Sequence, residues 1–144
     1  MPDLARIRRL VFGAVRAPEE RLVGATPKQL ISLQERVGRP LPEELLALLS
    51  ICNGAAIGPG GLFGERPDAP YLDLPSIRAL FPEWDSKGWM PVAGDGCGNY
   101  FVLLTDGRVG FVDTMSDPSA LASIEYGTLF EFVEAILVGD QAAP

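Results

Sequence analysis

Apolar residues recur at helical spacing toward both ends of this chain and at strand spacing between them. From Asp3 to about Arg16, the residues Leu4, Ile7, Leu10, Val11 and Ala14 fall on one side of a predicted helix, while Arg6, Arg9 and Arg16 take its other faces. The segment APEERLVGA breaks that pattern. Thr26-Pro27-Lys28-Gln29 then supplies an N-cap threonine, proline at the first helical position and glutamine three residues after the cap, which predicts a helix running to Val37. Gly38 and Pro40 stop it. Pro42 opens another, whose apolar residues Leu45, Leu46, Leu48, Leu49 and Cys52 form a broad stripe that ends at Asn53-Gly54. Two antiparallel helices joined by a short turn are expected.

Glycine and proline are dense from Gly54 to Ala69, which predicts a loop holding at most one short strand near Leu62-Phe63. Tyr71 to Leu74 reads as a strand. Pro75-Ser76 starts a short helical run through Ile77, Leu80 and Phe81 that Pro82 interrupts, with Trp84 and Trp89 flanking the exit. The stretch PVAGDGCGNYFVLLTDGRVGFVD, from Pro91 to Asp113, reads as a glycine-studded loop opening into a β-hairpin. Its strands are Tyr100 to Thr105 and Val109 to Asp113, joined by the two-residue turn signal Asp106-Gly107. Ala120 to Tyr126 suits one further strand. Thr128 with Glu131 forms a second capping box ahead of Phe132, Val133, Ile136 and Leu137, and Gly139 is expected to end that last helix. Helices at both ends with strands between them predict an α+β domain whose mainly antiparallel sheet, with the hairpin at its centre, packs against those helices.

Charge divides the chain unevenly. Eight acids (Asp95, Asp106, Asp113, Asp117, Glu125, Glu131, Glu134, Asp140) stand against Arg108 alone from Trp89 onward, whereas the first 88 residues balance at eleven of each sign. The whole net charge of −7 thus belongs to the hairpin half. Such a surface suits a basic protein partner and not nucleic acid, whose phosphates call for clustered Lys or Arg; anionic membranes are disfavoured on the same ground. At 144 residues and 47% hydrophobic content, one domain with its own core is expected. No apolar run approaches a spanning helix, and the start MPDLARIRRLVFGAV has an acid near its front and no clear small-residue cleavage site, so a cytoplasmic location is expected.

Composition also limits the chemistry. The chain contains no histidine, which excludes a Ser-His-Asp triad, a Cys-His dyad and a His-bearing zinc site. Cys52 and Cys97 are not in CxxC spacing and are expected as reduced thiols, with no Lys or Arg close in sequence to activate Cys97. The loop Gly94 to Gly98 invites comparison with a phosphate cradle, but Asn99 stands where GxGxxG has its third glycine and a strand follows instead of a helix. Glycines that supply positive φ and a bulged entry to the hairpin account for it better. Asp95 with Asn99, or Asp113 with Asp117, lack the oxygen count that calcium needs, so neither metal nor cofactor is expected. Carboxylate-only hydrolysis survives formally, yet most acids on such a half-chain are simply solvated.

Taken in order, several short motifs carry a resemblance. They are Leu41-Pro42-Glu43-Glu44 heading a leucine-rich helix, Asn53-Gly54 closing it, Trp89 before Pro91-Val92-Ala93-Gly94-Asp95-Gly96, then Gly98-Asn99-Tyr100 and Gly107-Arg108-Val109. In this order and spacing the chain resembles the SUKH superfamily, in its branch related to the fungal cell-wall-assembly regulator. The resemblance covers roughly residues 26 to 138, leaving 1–25 as an N-terminal helix and linker to one SUKH-like domain. Ala55 stands where the family often has a second glycine after Asn-Gly, and Thr114 where a histidine often follows the second hairpin strand. The resemblance implies one α+β domain that acts by binding: in bacteria an immunity protein neutralising a toxin, often a nuclease, and in fungi a regulatory interaction protein.

The expected function is therefore non-enzymatic: a protein-binding domain that occludes a basic toxin domain through its acidic hairpin half. Asp95, Asn99, Tyr100, Asp113 and Asp117, at the ends of the predicted hairpin, are the candidate partner-binding residues. Pro42, Asn53, Gly54, Trp89, Gly94, Gly96, Gly98 and Gly107 are expected to be structural. Trp84 and Trp89 suit core or hinge packing, whereas Tyr100, at a loop-to-strand junction, can face a cleft or the core. The arginine face of the first helix is solvated or docks the protein's own acidic half or a second copy, so a homodimer stays open. A regulatory or scaffold domain, binding a host protein or a small ligand beside the glycine loop, is the alternative. A carboxylate-dependent hydrolase is a third.

Overall fold

The computed structural model describes residues 4–14 and 23–142, with side chains as far as residue 138. Helix α1 (Leu4–Gly13) comes first, and Arg16, the expected end of that helix, lies outside the described residues. Helices α2 (Pro27–Val37) and α3 (Glu43–Ile51) follow. In α2, the Thr26 hydroxyl accepts from the Gln29 backbone amide at 3.1 Å and the Gln29 side-chain Oε1 from the Thr26 backbone amide at 2.8 Å, while Gly38 closes the helix at φ 88°. The reciprocal cap and left-handed stop are those the sequence predicts. The two helices are not chiefly each other's partners. α2 packs on α4 (Leu74–Ala79), and α3 on α6 (Leu129–Ala142) and α1.

Residues Tyr71 to Leu74 do not form the expected strand. Pro70–Leu72 is a single 3-10 turn and α4 starts at Leu74, with the Asp73 carboxylate accepting from the Ser76 amide as its cap. Prolines at positions 70 and 75 bracket the segment and have no amide to give a ladder, so only the isolated bridge of Asp73 to Gly64 remains of sheet pairing. The short strand expected near Leu62-Phe63 exists as bridges from Leu62 to Ala55 and Ala93. Helix α5 (Glu83–Lys87) then leads into the sheet.

The sheet is an antiparallel meander in the order β1 (Met90–Gly94), β2 (Tyr100–Leu103), β3 (Val109–Val112) and β4 (Ser123–Tyr126). Alternation along the central hairpin feeds two cores. Phe101 and Leu103 pair with Phe111 and Val109 on the face toward α6, where the Phe101 and Phe132 rings lie 4.7 Å apart. Val102 and Val112 turn to the other face and pack with Trp84 of α5. This second layer was not foreseen: the sheet lies between the larger core, which Leu74 and Ile77 of α4 join, on one side and Phe81 and Trp84 on the other. Gly110 has no side chain because Leu121 covers it, and a Cβ there would meet Leu121 at 2.7 Å.

Two ends differ from expectation. The hairpin turn has three residues, since the Gly107 amide bonds to the Leu104 carbonyl and the Leu104 amide to the Arg108 carbonyl, with Gly107 at φ 90°. That is a turn followed by a left-handed glycine bulge, the next most common solution to the two-residue loop. Helix α6 continues through Gly139 to Ala142, because glycine within a helix costs only about 1 kcal/mol and does not by itself end one. At its start Thr128 caps the Glu131 amide at 3.1 Å, while the Glu131 carboxylate reaches the Gly127 amide at 3.2 Å. Glu44, from the Leu-Pro-Glu-Glu motif, accepts from the Phe130 amide at 2.9 Å and ties α3 to the same helix start.

Candidate functional site

Asp95, Asn99, Asp113 and Asp117 are brought to one end of the sheet, where β1 passes to β2 and β3 leaves toward β4. Asp95 Oδ1 accepts from the amides of Cys97 at 2.7 Å and Asn99 at 3.0 Å, and its Oδ2 from Asn99 Nδ2 at 3.1 Å. Asn99 Oδ1 in turn accepts from the Thr114 amide at 3.0 Å, which joins the glycine loop to the turn after β3. In that turn Asp113 accepts from the amides of Met115 and Ser116, and Asp117 from the amide and hydroxyl of Ser119. The Trp84 indole donates to the Pro118 carbonyl at 2.6 Å and fastens the acidic turn to the buried side of the sheet.

These carboxylates are held by amides and hydroxyls of their own loops instead of by cations. The contrast within the chain is clear: Asp68, Asp73, Asp85, Asp106 and Glu134 each pair with an arginine, whereas among the described residues Asp95, Asp113 and Asp117 have no ion-pair partner. Burial pushes the Asp95 carboxyl up, but donation from Cys97 and Asn99 outweighs it and holds the group below the usual range. The bonds from Ser119 lower Asp117, with a smaller pull from the charge of Lys87. Both keep their charge to lower pH than an ordinary aspartate.

The remaining late acids lie elsewhere. Asp106 pairs with Arg108 at the opposite tip of the hairpin, and Glu134 pairs with Arg6, so that the first helix takes up part of the negative charge. Glu125 lies on β4 with its carboxylate on the Ser123 hydroxyl, Glu131 serves the start of α6, and the Asp140 side chain lies outside the described residues. The acidity is thus concentrated at one loop cluster and dispersed over the rest of the half-chain.

Tyr100 stands beside that cluster, half-buried, with its ring against Phe63, Phe81 and Trp84 at centroid distances of 6.0, 5.5 and 5.9 Å. Burial, and then the nearby Asp95 charge, push its phenol upward. A cleft of about 150 Å³ opens here, lined by Tyr71, Tyr100, Phe63, Asn99 and the backbones of Gly94, Gly96 and Gly98. Gly96 and Gly98 take φ of 85° and 89°, the positive values expected of them. Trp89 is only partly buried, with Lys87 Nζ 5.3 Å from its ring centre.

A larger pocket, about 570 Å³, lies away from the glycine loop, between the start of α2 and the Asn53–Asp68 region. Lys28, Gln29, Ser32, Glu65 and Arg66 supply its polar wall. Asn53 is buried and clamps this wall, accepting from the Glu65 amide at 2.8 Å and donating to the Glu65 carbonyl at 3.0 Å. Gly54, at φ 76°, lets the chain pass so close that a Cβ would meet the Gly64 amide nitrogen at 2.9 Å. Behind it Arg36 pairs with both Glu65 and Asp73, and Asp73 is fully buried. Pro42, also expected to be structural, precedes α3 without a side-chain cap. Sequence reasoning missed this network, because nothing in the spacing of Arg36, Glu65 and Asp73 announces that three elements meet.

A family model, the SMI1 / KNR4 family (SUKH-1), matches residues 24–134. The chain belongs to this family. The match takes in the Asn53-Gly54 clamp, the glycine loop and the whole sheet, and leaves α1 outside. Comparison with curated proteins gives no match. No helix among the described residues is long and apolar enough to cross a membrane, and none of their His, Cys, Asp and Glu side chains form a group of three or more able to hold a metal ion.

Proposed function

We propose that this SUKH-1 chain is a non-enzymatic binding domain that neutralises a basic bacterial toxin domain, such as a nuclease, by covering it. The observation that carries this reading is the set of carboxylates without counter-ions, Asp95, Asp113 and Asp117, gathered at one end of the sheet. Their bonds to amides and hydroxyls fix the loops yet leave the negative charge undiminished, which steers a positively charged partner and suppresses acidic ones. Asn99 links the two loops into one surface, and Tyr100 offers an aromatic contact beside it. Membership of the family supports binding as the mode of action.

The test is capture from the native host followed by an activity assay. A basic protein that co-purifies, and whose activity falls in proportion to the chain added, supports neutralisation. A captured protein that remains fully active in the complex contradicts it. The pocket of about 570 Å³ favours a second reading, regulation by a small ligand, since that volume lies in the range of small-molecule sites.

A further inference from the structure

The cleft between Tyr71 and Tyr100 has a shape and lining of its own. At about 150 Å³ it is too small for a typical small-molecule site, which occupies roughly 300–1,000 Å³, and suits a single side chain. We propose that this cleft is the anchor pocket for one arginine or lysine side chain of the protein partner, an inference that rests on the docking of a basic protein at this end of the sheet.

Three features select a cation. Three aromatic residues, Phe63, Tyr71 and Tyr100, are among those that line it, and aromatic rings attract an ammonium or guanidinium group over their faces. Among the lining residues there is no Lys or Arg to compete. Asp95 sits between two of the lining glycines, and its Oδ2 takes a single bond, from Asn99, leaving acceptor capacity and a full negative charge beside the cleft.

The glycine floor and the Tyr100 side of the cleft are preformed. Gly60 and Gly96 lie back to back, such that a Cβ on Gly60 would come within 2.3 Å of the Gly96 nitrogen and one on Gly96 within 2.6 Å of the Pro59 oxygen. The Tyr100 ring is fixed by Phe63, Phe81 and Trp84. These fixed parts spare the entering side chain the cost of ordering them.

Amide NMR of the whole ¹⁵N-labelled chain, titrated with N-acetyl-arginine methylamide and with its uncharged analogue N-acetyl-citrulline methylamide, tests the proposal. Saturable shifts are expected at Gly94, Gly96, Gly98 and Asn99, about two- to fivefold weaker in affinity for citrulline. Tyr71→Ala, at a side chain 67% exposed and outside the core, should weaken the arginine response by a similar factor, and Tyr71→Phe should keep it. Equal binding of citrulline, shifts centred elsewhere, or an unchanged response in Tyr71→Ala would overturn the pocket while leaving the docking surface standing. That surface is read separately, from the partner's association rate with Asp113→Asn and Asp117→Asn. If the arginine probe binds but that rate and its salt dependence do not move, docking by charge fails, and the partner's side chain fails with it as the occupant.

Discussion

Replacing Arg36 by methionine would strand two carboxylates in the core. Asp73 is fully buried, and its bonds from Arg36 measure 3.0 and 2.6 Å, with further donation from the Arg66 amide, the Ser76 amide and the Ser76 hydroxyl. Glu65 is 5% exposed and takes its ion pair from the same guanidinium. Breaking a buried pair by removing one partner costs about 3–5 kcal/mol, but the Arg36 side chain is 33% exposed, so solvent screening brings the expectation to about 2–4 kcal/mol. For a chain of this size that corresponds to a fall in Tm of roughly 10 °C. The pH dependence separates electrostatics from lost packing. In the parent protein burial raises the Asp73 carboxyl, but Arg36, Ser76 and the Arg66 amide together hold it below its ordinary value. Its contribution is therefore present above about pH 4, the unfolded value, and is lost as the pH falls through the folded one. Without Arg36 the folded value moves up, with only the Ser76 and Arg66-amide bonds left to oppose burial, so stability should fall less steeply on acidification than in the parent. Urea unfolding at several pH values measures both terms. A loss below about 1 kcal/mol, or a pH slope identical to the parent's, would refute the reasoning.

Other consequences can be checked in the same preparations. Burial pushes the Cys52 thiol up to about 11, whereas Cys97 is exposed on the glycine loop; iodoacetamide at pH 8 should modify Cys97 alone until the protein is unfolded, and comparable rates at both would contradict the fold. Asn53→Ala removes both bonds to the Glu65 backbone and should cost about 2–4 kcal/mol in chemical denaturation, since two buried polar groups lose their partners. Trp84→Phe keeps a ring on Val102 and Val112 but loses the bond to the Pro118 carbonyl, so hydrogen exchange should quicken around residues 115–119 more than in β2. Uniform quickening would show that the indole bond does not hold the turn.

Where local chemistry decides the structure, the sequence was informative. The caps of α2, the stop at Gly38 and the hairpin follow from side chains within a few residues of one another. Tyr71 to Leu74 misled because its β-prone residues lie between prolines that deny a ladder, and Asp73 was free to cap α4 instead. The charge count did not show how the late acids are distributed in space, since Arg6 reaches Glu134 across 128 positions and pairs with it away from the Asp95, Asp113 and Asp117 loops. Of the candidate residues, Asp95, Asn99, Asp113 and Asp117 come together because they occupy loops at the same end of one hairpin, which is legible from strand order. Tyr71, contributed by a turn far along the chain, and the Arg36–Glu65–Asp73 network depend on tertiary packing that no local pattern encodes.

The claim that carries the account is electrostatic docking at the Asp95, Asp113 and Asp117 loops. Asn in place of Asp113 and Asp117 retains an acceptor for the turn amides while removing two charges. Stopped-flow association of this double variant with the protein that co-purifies from the native host, from low to high salt, measures the effect. Parent association is expected to rise toward about 10⁸ M⁻¹s⁻¹ at low salt and fall steeply as salt is added, with the variant slower and its salt dependence flatter. Equal rates and equal salt slopes for the two proteins would contradict the claim.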